Sequence, residues 1–363
     1  MNKLLLLLLV HSPFFVFAQP NHFVISGKVV DAQSKLPLES ASVFMQNTTI
    51  GTTTDASGNF KLALPDGGYD LVITFTSYKT TVIRISTNDV SKKNVVVELK
   101  RIEKELAAII ITSGKAEKNG WENYGYFFLA NFIGETPNSK LCTVKNKEVL
   151  KFYFLKERNC LKITATDPLE IRNDALGYTI KYSIDSFVYD YNKLETTFTG
   201  SPFFEEITTT DSVQKKKWTA NRLRAYNGSI LHFMRSMYYQ QLKTDGFEVK
   251  AFKKGKLEEK AIPIVNVYES LNYNKNDSLQ IVQILPKYYV LELSYTKGKP
   301  EYEYMNRFPQ GYTKFQISAL TFTPDKIITI EPNGFFYSQY DMIKSNYLAW
   351  KRMADMLPYD FKP

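Results

Sequence analysis

The chain has 363 residues, a formal net charge of +9, and 24 Tyr and 25 Phe residues. Its length allows two or three domains, and 44% hydrophobic with 23% charged residues is a globular rather than a disordered composition. With only 3 His and 2 Cys, the composition excludes most zinc and iron–sulfur designs and any disulfide-dense scaffold. The high aromatic content favours β structure.

The first 18 residues are predicted to be a signal peptide. One positive charge, Lys3, precedes an apolar run at residues 4–10, and Ala18-Gln19 provides a cleavage point after a small residue. An uncleaved anchor is the alternative, but polar residues and a proline at 11–13 interrupt the run, and a spanning helix needs about 20 apolar residues. No later stretch is apolar for long enough to span a bilayer as a helix. We therefore expect an exported protein.

Residues 24–100 read as about seven short strands separated by turn residues. Phe60, Leu62 and Leu64 alternate with polar neighbours, as in a half-buried strand. Asp55 and Gly58 mark the turn before them, because Asp opens such a turn through its side chain and Gly accepts a positive φ. Turn signals at intervals of about 8–12 residues are typical of a β-sandwich.

Several turn and core positions of this region also follow a family pattern. The matching stretches are Gly27-x-Val29-x-Asp31, Pro37-Leu38-x-x-Ala41-x-Val43, Gly51-Thr52-x-Thr54-Asp55-x-x-Gly58-x-Phe60, Tyr69-x-Leu71 and Phe75-x-x-Tyr78. The pattern resembles the carboxypeptidase-regulatory-like domain. The resemblance implies an Ig-like, transthyretin-like sandwich over residues 19–112 with no catalytic residues of its own. The family occurs beside zinc carboxypeptidases and at the front of TonB-dependent receptors of gram-negative bacteria, which favours the periplasm or an outer-membrane association.

Neither of these companions is predicted in the rest of the chain. A zinc carboxypeptidase needs three protein ligands, including a His-x-x-Glu pair. His11 lies in the predicted signal peptide, and neither His22 nor His232 has a Glu three residues later. About 250 residues after Ser113 are too few for the remainder of a TonB-dependent receptor. No metal site and no cofactor are therefore predicted.

Residues 113–363 are predicted to form a second, mostly antiparallel α+β domain with a few helices, with a candidate seam between two subdomains near 255–262. Ser212 and Ser229 are predicted to cap two successive helices, with Gly246 as the stop. The alternation of apolar residues changes to the opposite strand face near 185–186, which predicts a β-bulge there. The segment around Ser201 is predicted to form two paired strands. Residues 347–357 are predicted to form a closing helix. The fold class is therefore mainly β.

Four stretches of this part are similar to the C-terminal regions of uncharacterised gram-negative envelope proteins that carry the same front module. They are Leu169-x-Ile171-x-Asn173-x-x-Leu176-Gly177-Tyr178, Trp218-x-x-Asn221-Arg222-x-x-Ala225-Tyr226-x-Gly228-Ser229, His232-Phe233-x-Arg235 and Trp350 to Leu357. This second resemblance adds cellular context and no mechanism.

The densest polar cluster of the second part is the candidate binding site. Its members are Asn221, Arg222, Arg224, Tyr226, Asn227, Ser229, His232 and Arg235, and the candidate binding residues among them are Asn221, Arg222, Arg224, Ser229, His232 and Arg235. Three-residue steps place the last three on one helix face, where free N–H groups at a helix start would favour an anion or glycan. The alternative is that these residues cap the helices and bond to a neighbouring sheet.

Two other groups of residues bear on possible chemistry. Glu301 and Glu303 would face one side of a strand, and paired carboxylates can serve a glycosidase, although such residues are usually solvated. A nucleophilic triad around His232 lacks any nucleophile-elbow motif.

Cys142 and Cys160 are a disulfide candidate because export permits disulfides, with two free thiols as the alternative.

These observations favour a non-enzymatic, exported cell-envelope protein. It would pair a sandwich interaction module with a domain that binds a partner or a ligand. The excess positive charge after Ser113 favours an envelope protein or an anionic glycan or lipid headgroup as the partner, rather than nucleic acid. The alternatives are a hydrolase acting on glycans or peptides, and a glycan-binding protein.

Overall fold

The computed structural model describes residues 22–65, 67–87, 94–102, 116–252, 260–309, 313–337 and 339–363. The predicted signal peptide at 1–18 and most of the predicted seam at 255–262 lie outside the described residues. Among the described residues, no helix is long and apolar enough to cross a membrane.

The N-terminal region is a β-sandwich, as predicted. Its strands are β1 (His22–Asp31), β2 (Ser42–Met45), β3 (Gly51–Thr53), β4 (Asn59–Pro65), β5 (Gly68–Thr74), β6 (Thr81–Ser86) and β7 (Asn94–Leu99). They form one sheet in the order β4-β1-β7 and another in the order β3-β2-β5-β6. Strand β1 pairs antiparallel with β4 and parallel with β7.

Local sequence signals explain this sandwich well. Phe60, Leu62 and Leu64 alternate inward along β4 and join the buried core between the two sheets. The Asp55 carboxylate accepts hydrogen bonds from the backbone N–H groups of Ser57 and Asn59. Gly58 closes the same turn with a φ of +77°, a conformation that favours glycine. The predicted turn and the predicted strand are both confirmed.

The second part begins with a six-stranded antiparallel sheet. Its strands are β8 (Cys142–Val144), β9 (Leu150–Leu155), β10 (Cys160–Ala165), β11 (Leu169–Asn173), β12 (Tyr178–Asp190) and β13 (Glu195–Glu206). The order is β8-β11-β12-β10-β9, and β13 pairs with the remaining side of β12. Helix α1 (Gly120–Phe132) packs Phe128 and Phe132 into the aromatic core of this sheet.

Strand β12 has an irregular register against β13. The pairing shifts between Ile184 and Ser186, which confirms the predicted bulge. The prediction of two strands around Ser201 was wrong, because β13 runs unbroken through Pro202. The Pro202 carbonyl points away from β12 to accept a bond from Asn47. Its nitrogen therefore also lies on the outer edge, where a missing N–H removes no bond to β12.

Three helices follow the sheet: α2 (Ser212–Tyr226), α3 (Ile230–Tyr238) and α4 (Leu242–Asp245). Helix α2 is capped by Asp211 and not by Ser212, since the Asp211 carboxylate accepts from the N–H groups of Val213 and Gln214. Ser229 caps α3 as predicted, with its hydroxyl oxygen accepting from the His232 N–H at 3.1 Å. Gly246 ends α4 with a φ of +95°, so the predicted stop is confirmed.

The remaining strands form two further antiparallel sheets. One contains β14 (Phe247–Ala251), β15 (Ile262–Pro263), β18 (Val290–Tyr295), β19 (Gln316–Phe322) and β21 (Met342–Asn346), in the order β15-β14-β18-β19-β21. The other contains β16 (Asn274–Asn276), β17 (Ile281–Ile284) and β20 (Ile328–Ile330). Three short helices accompany these sheets: α5 (Val267–Ser270), α6 (Tyr302–Arg307) and α7 (Tyr347–Trp350). The predicted closing helix is shorter than expected, because a 3-10 turn at Met353–Asp355 follows α7. The mainly β fold class is confirmed.

The second part has two large buried clusters. One lies under the six-stranded sheet, and the other lies between α3, β14, β18 and β19. Helix α3 contributes to both, with Leu231 in the first cluster and Phe233 in the second. The change from one cluster to the other therefore occurs along α3.

The predicted disulfide is absent, and Cys142 and Cys160 are both free thiols. In the register of the sheet, Cys142 of β8 lies opposite Asn173 of β11. Asn173 in turn lies opposite Tyr178, at the start of β12. Cys160 pairs with Asp190 at the other end of that 13-residue strand. About 40 Å of extended strand separates the two ends at ~3.3 Å per residue. A disulfide needs Cα atoms within about 7 Å, so this sheet keeps the two thiols apart.

The sandwich is joined to the second part by backbone hydrogen bonds. The Asn47 N–H donates to the Pro202 carbonyl at 2.7 Å, and the Phe204 N–H donates to the Thr48 carbonyl at 3.0 Å. The turn between β2 and β3 therefore covers the outer edge of β13, an edge that would otherwise present unpaired backbone groups. Near the end of the chain, the Tyr359 N–H donates to the Asn47 carbonyl at 2.7 Å.

A buried ion pair forms a second contact between the two parts. Arg84 of β6 donates to the Glu331 carboxylate at 2.8 Å and to the Tyr337 hydroxyl at 2.9 Å. Its guanidinium lies over the rings of Phe335 and Tyr337, with distances of 4.4 and 4.2 Å to the ring centroids. The Glu331 side chain is 4% exposed. The two parts are therefore packed against each other through specific contacts.

Candidate functional site

The first two residues of the predicted cluster hold α2 against the turn between β11 and β12. Asn221 donates to the Ala175 carbonyl at 2.8 Å. Arg222 donates to the Leu176 carbonyl at 2.7 Å and to Glu206 at 2.7 Å. The structure thus gives Asn221 and Arg222 partners within the chain, in line with the structural alternative.

Ser229, His232 and Arg235 share one face of α3, as their spacing predicts, and that face is packed. The His232 Nδ1 atom accepts from the Gly228 N–H at 3.2 Å, and the side chain is mostly buried. Arg235 donates to the carbonyls of Asn333 at 3.0 Å and Tyr359 at 2.9 Å. Burial is the main cause that lowers the pKa of His232 to about 4, so the imidazole is neutral at physiological pH. These three residues hold α3 in place.

Two members of the predicted cluster, Arg224 and Asn227, line a cleft. The cleft has a volume of about 420 Å³ and lies between α2, the turn after β18 and the start of β19. Its lining residues are Ala220, Leu223, Arg224, Asn227, Tyr295, Lys297, Gly298, Lys299, Glu301 and Gln316. The structure therefore combines Arg224 and Asn227 with groups from the second half of the chain.

The cleft carries a positive charge excess. Arg224, Lys297 and Lys299 line it, and the Lys297 ammonium donates to the Thr244 carbonyl at 2.7 Å. Arg224 is held loosely, because it reaches the Asn138 side-chain oxygen only at 3.5 Å, which is the limit of a hydrogen bond. The lining carboxylate, Glu301, is neutralised by Lys351 at 2.7 Å.

One acceptor in the cleft has no partner. The Gln316 side-chain nitrogen donates to the Lys299 carbonyl at 3.2 Å, whereas its oxygen is buried without a hydrogen bond. This oxygen lies against Gly228, where a Cβ would be only 2.4 Å away, so it is closed off from the open part of the cleft. The cleft thus offers cations for an anionic group.

A chain of polar contacts supports the wall of the cleft. The Asn138 amide donates to Asp355 at 2.8 Å, and Lys351 lies 3.4 Å from the same carboxylate oxygen. Lys351 and the Tyr347 hydroxyl both donate to Glu301. The expectation that Glu301 and Glu303 lie on a strand was wrong, because Glu301 precedes α6 and Glu303 lies within it. The contacts of Glu301 make it a positioning group for the wall rather than one of two open carboxylates.

No nucleophilic triad forms around His232. Ser236 and Asp245 lie near it, but the Ser236 hydroxyl donates directly to the Asp245 carboxylate at 2.5 Å. The His232 Nε2 atom is 3.7 Å from the same carboxylate. In a working triad the imidazole stands between the hydroxyl and the carboxylate. Here the carboxylate stands between the other two, and Ser236 is fully buried.

Potential metal ligands are scattered rather than clustered. Within the described ranges, no three His, Cys, Asp or Glu side chains are grouped so that they could hold a metal ion.

Sequence reasoning missed Lys297, Lys299 and Gln316. They lie far along the chain from Arg224 and meet it only because β18 and β19 pack beside α2. The turn Lys297-Gly298-Lys299 is a local basic signal, but many such turns are simply solvated.

Residues 25–111 match the family described as CarboxypepD_reg-like domain. The chain contains a carboxypeptidase-regulatory-like domain. This regulatory-like domain corresponds to the observed sandwich, and it is non-catalytic. The match confirms the family resemblance of the N-terminal region.

Among curated proteins, one similar sequence is viral. "Structural protein 27" of a virus (isolate Australia/Victoria) is 35% identical over 83 residues, which are 23% of this chain and 16% of the relative. The chain thus spans only a small part of that protein.

Solved structures with detectable likeness include two from Bacteroides. A DUF3823 family protein from Bacteroides ovatus ATCC 8483 is 12% identical, with 51% of this chain and 81% of that chain covered and a TM-score of 0.18. A protein described as membrane-associated and of unknown function, from Bacteroides fragilis NCTC 9343, is 14% identical, with coverages of 52% and 84% and a TM-score of 0.18.

Proposed function

We propose that the protein is a non-catalytic, exported cell-envelope protein that binds an anionic ligand in the cleft beside α2. The observation that carries this proposal is the convergence of Arg224, Lys297 and Lys299 on one cleft. Phosphate or carboxylate groups would pair with the cations. An anionic glycan and an anionic lipid headgroup share this chemistry.

The cellular part of the proposal has two supports. The N-terminal segment has the charge and apolar pattern of a signal peptide. The regulatory-like domain matches a family that occurs in exported proteins of gram-negative envelopes. We place the mature protein in the periplasm or at the outer membrane, where the docked sandwich would serve as an interaction module for an envelope partner.

Binding is preferred to hydrolysis because of the groups in and near the cleft. Glu301 is held by Lys351 and Tyr347, and the buried Ser236, Asp245 and His232 stand in the wrong order for nucleophilic catalysis. Cations arranged around an open cleft attract and orient a negative group without any need for a reacting side chain.

The test compares two anionic probes with matched neutral ones. Oligogalacturonate and vesicles containing phosphatidylglycerol supply the anionic glycan and the anionic lipid, and neutral maltopentaose and phosphatidylcholine vesicles are their controls. We expect binding of the mature chain to at least one anionic probe, weakened by salt. Binding to the vesicles alone identifies a headgroup, and binding to oligogalacturonate alone identifies a glycan.

The variant Arg224→Gln/Lys299→Gln removes two of the cleft cations. Losing one charge-assisted hydrogen bond costs about 1.5–3 kcal/mol, so we expect affinity to fall at least about tenfold. Lys215→Gln is the control. Lys215 lies nine residues before Arg224 on α2, which is two and a half turns, so it is on the opposite side of the helix. Equal affinity of the double variant and Lys215→Gln would contradict the proposal, as would the absence of binding to every anionic probe.

A further inference from the structure

A second groove lies at the junction of the sandwich and the second part. Its volume is about 350 Å³, and it is separate from the basic cleft. The sandwich contributes Ser42, Phe44, Gly51, Thr52, Thr53 and Thr74 to its lining, and the second part contributes Pro168, Lys181, Ser183, Phe203 and Glu205. Ligand sites often occur at such junctions between domains.

The sandwich wall of the groove carries a row of three hydroxyl groups. Ser42 of β2 pairs directly with Thr53 of β3 and with Thr74 of β5. Directly paired residues share a face of a sheet, and adjacent strands lie about 4.8 Å apart, so the row spans roughly 10 Å. This face is the outer one, because Val43 between Ser42 and Phe44 points into the sandwich core.

The opposite wall carries a balanced pair of charges. Lys181 of β12 and Glu205 of β13 lie 2.8 Å apart, and their side chains are 41% and 42% exposed. The pair is neutral overall, yet the ammonium retains further donors and the carboxylate retains further acceptors. Ser183 follows two residues after Lys181 and therefore lies on the same face of β12.

Two aromatic rings close the groove where the walls meet. Phe44 and Phe203 pack with ring centroids 5.1 Å apart. Gly51 allows this closure, since a Cβ at that position would lie 2.7 Å from the Phe203 ring. The partly exposed Phe203 ring adds an apolar surface beside the hydroxyl groups.

We propose that this groove binds a neutral oligosaccharide. A row of hydroxyl groups facing a neutral donor–acceptor pair suits a ligand that is itself rich in hydroxyls, and the Phe203 ring suits the apolar face of a sugar. Because Lys181 and Glu205 neutralise each other, the groove does not select an anion, in contrast to the cleft beside α2. A peptide strand is disfavoured, because the edge strand β3 offers only three residues for pairing.

The test measures binding of the full chain by calorimetry. The probes are cellopentaose, mannopentaose and chitopentaose, together with an extended Ala-Val-Thr-Val-Ala peptide. We expect at least one oligosaccharide to bind and the peptide not to bind. Binding of the peptide alone, or of none of the probes, overturns the proposal.

Two variants locate the bound sugar. Thr53→Val/Thr74→Val removes two hydroxyls of the row and keeps the branched side chains, and we expect affinity to fall at least about tenfold. Lys181→Met provides a second variant, on the opposite wall, and is expected to weaken the same interaction. Thr197→Val is the control, at an exposed position of β13 outside the groove. Unchanged affinity in folded Thr53→Val/Thr74→Val and Lys181→Met overturns the proposal, whatever the basic cleft binds.

Discussion

Arg84 of the sandwich and Glu331 of the second part form an ion pair at 2.8 Å, with the glutamate side chain almost fully buried. The pair joins a strand of one sandwich sheet to the segment that follows β20. Truncating the arginine leaves a carboxylate without its charge partner in a buried position, a change that is strongly destabilising in proteins.

The first prediction concerns this pair. Arg84→Met is expected to lower the free energy of unfolding by about 3 kcal/mol, because the buried Glu331 carboxylate loses its charge partner and keeps only the hydrogen bond from the Tyr337 hydroxyl. Arg84→Met/Glu331→Gln should recover part of that loss, since the buried charge is then absent. Urea denaturation of Arg84→Met, Glu331→Gln and the double variant, compared with the unchanged protein, forms a double-mutant cycle. Additive effects would show that the pair does not couple the two parts.

The second prediction separates two neighbouring candidates for the cap of α2. Asp211→Ala is expected to lower the free energy of unfolding by about 1 kcal/mol, because the carboxylate accepts from the N–H groups of Val213 and Gln214. Ser212→Ala is the matched control and should change stability far less. Thermal or urea unfolding of both variants measures the difference. A larger loss for Ser212→Ala would contradict the observed cap.

The third prediction concerns pH. Burial lowers the pKa of His232 to about 4 from 6.5, so between these values the unfolded state binds a proton that the folded state does not. The stabilising effect of the neutral, buried imidazole is complete above pH 6.5 and is lost as the pH falls towards 4. Asp245 opposes this shift, whereas Lys297 and Arg235 add to it. His232→Gln should flatten the fall in stability over this range, and an unchanged slope in urea denaturation would contradict the assignment.

The fourth prediction concerns the thiols. Burial, together with the charges of Asp355 and Asp174, raises the pKa of Cys142 to about 12. Only the thiolate reacts with iodoacetamide, so Cys142 should resist alkylation at about pH 8 until the chain is unfolded. Mass spectrometry without reductant should show two free thiols per chain. A Cys142–Cys160 disulfide would contradict the register of the six-stranded sheet.

Much of the fold could be predicted because the controlling signals are local. The alternation in β4, the turn at Asp55 and Gly58, the Ser229 cap and the bulge after Ile184 each depend on residues a few positions apart. The unbroken strand through Pro202 could not be predicted, because only the contact with Asn47 shows that the proline lies at a sheet edge.

The candidate site was harder to predict for the same physical reason. Helical spacing correctly placed Ser229, His232 and Arg235 on one face. That face is covered by segments distant in the sequence, including the Asn333 and Tyr359 carbonyls to which Arg235 donates. The spacing of residues along one helix cannot predict which distant segments pack against it. Arg224 could be selected from the sequence, whereas Lys297 and Lys299 join it only after the sheet has formed.

The most direct test of the anionic-ligand cleft is hydrogen–deuterium exchange with and without the anionic probe that binds. The account predicts slower exchange in two segments, residues 220–227 of α2 and its end, and residues 295–301 after β18, because these line the cleft. The effect should disappear in Arg224→Gln/Lys299→Gln and persist in Lys215→Gln. Slower exchange elsewhere, with no change in these two segments, would contradict the account.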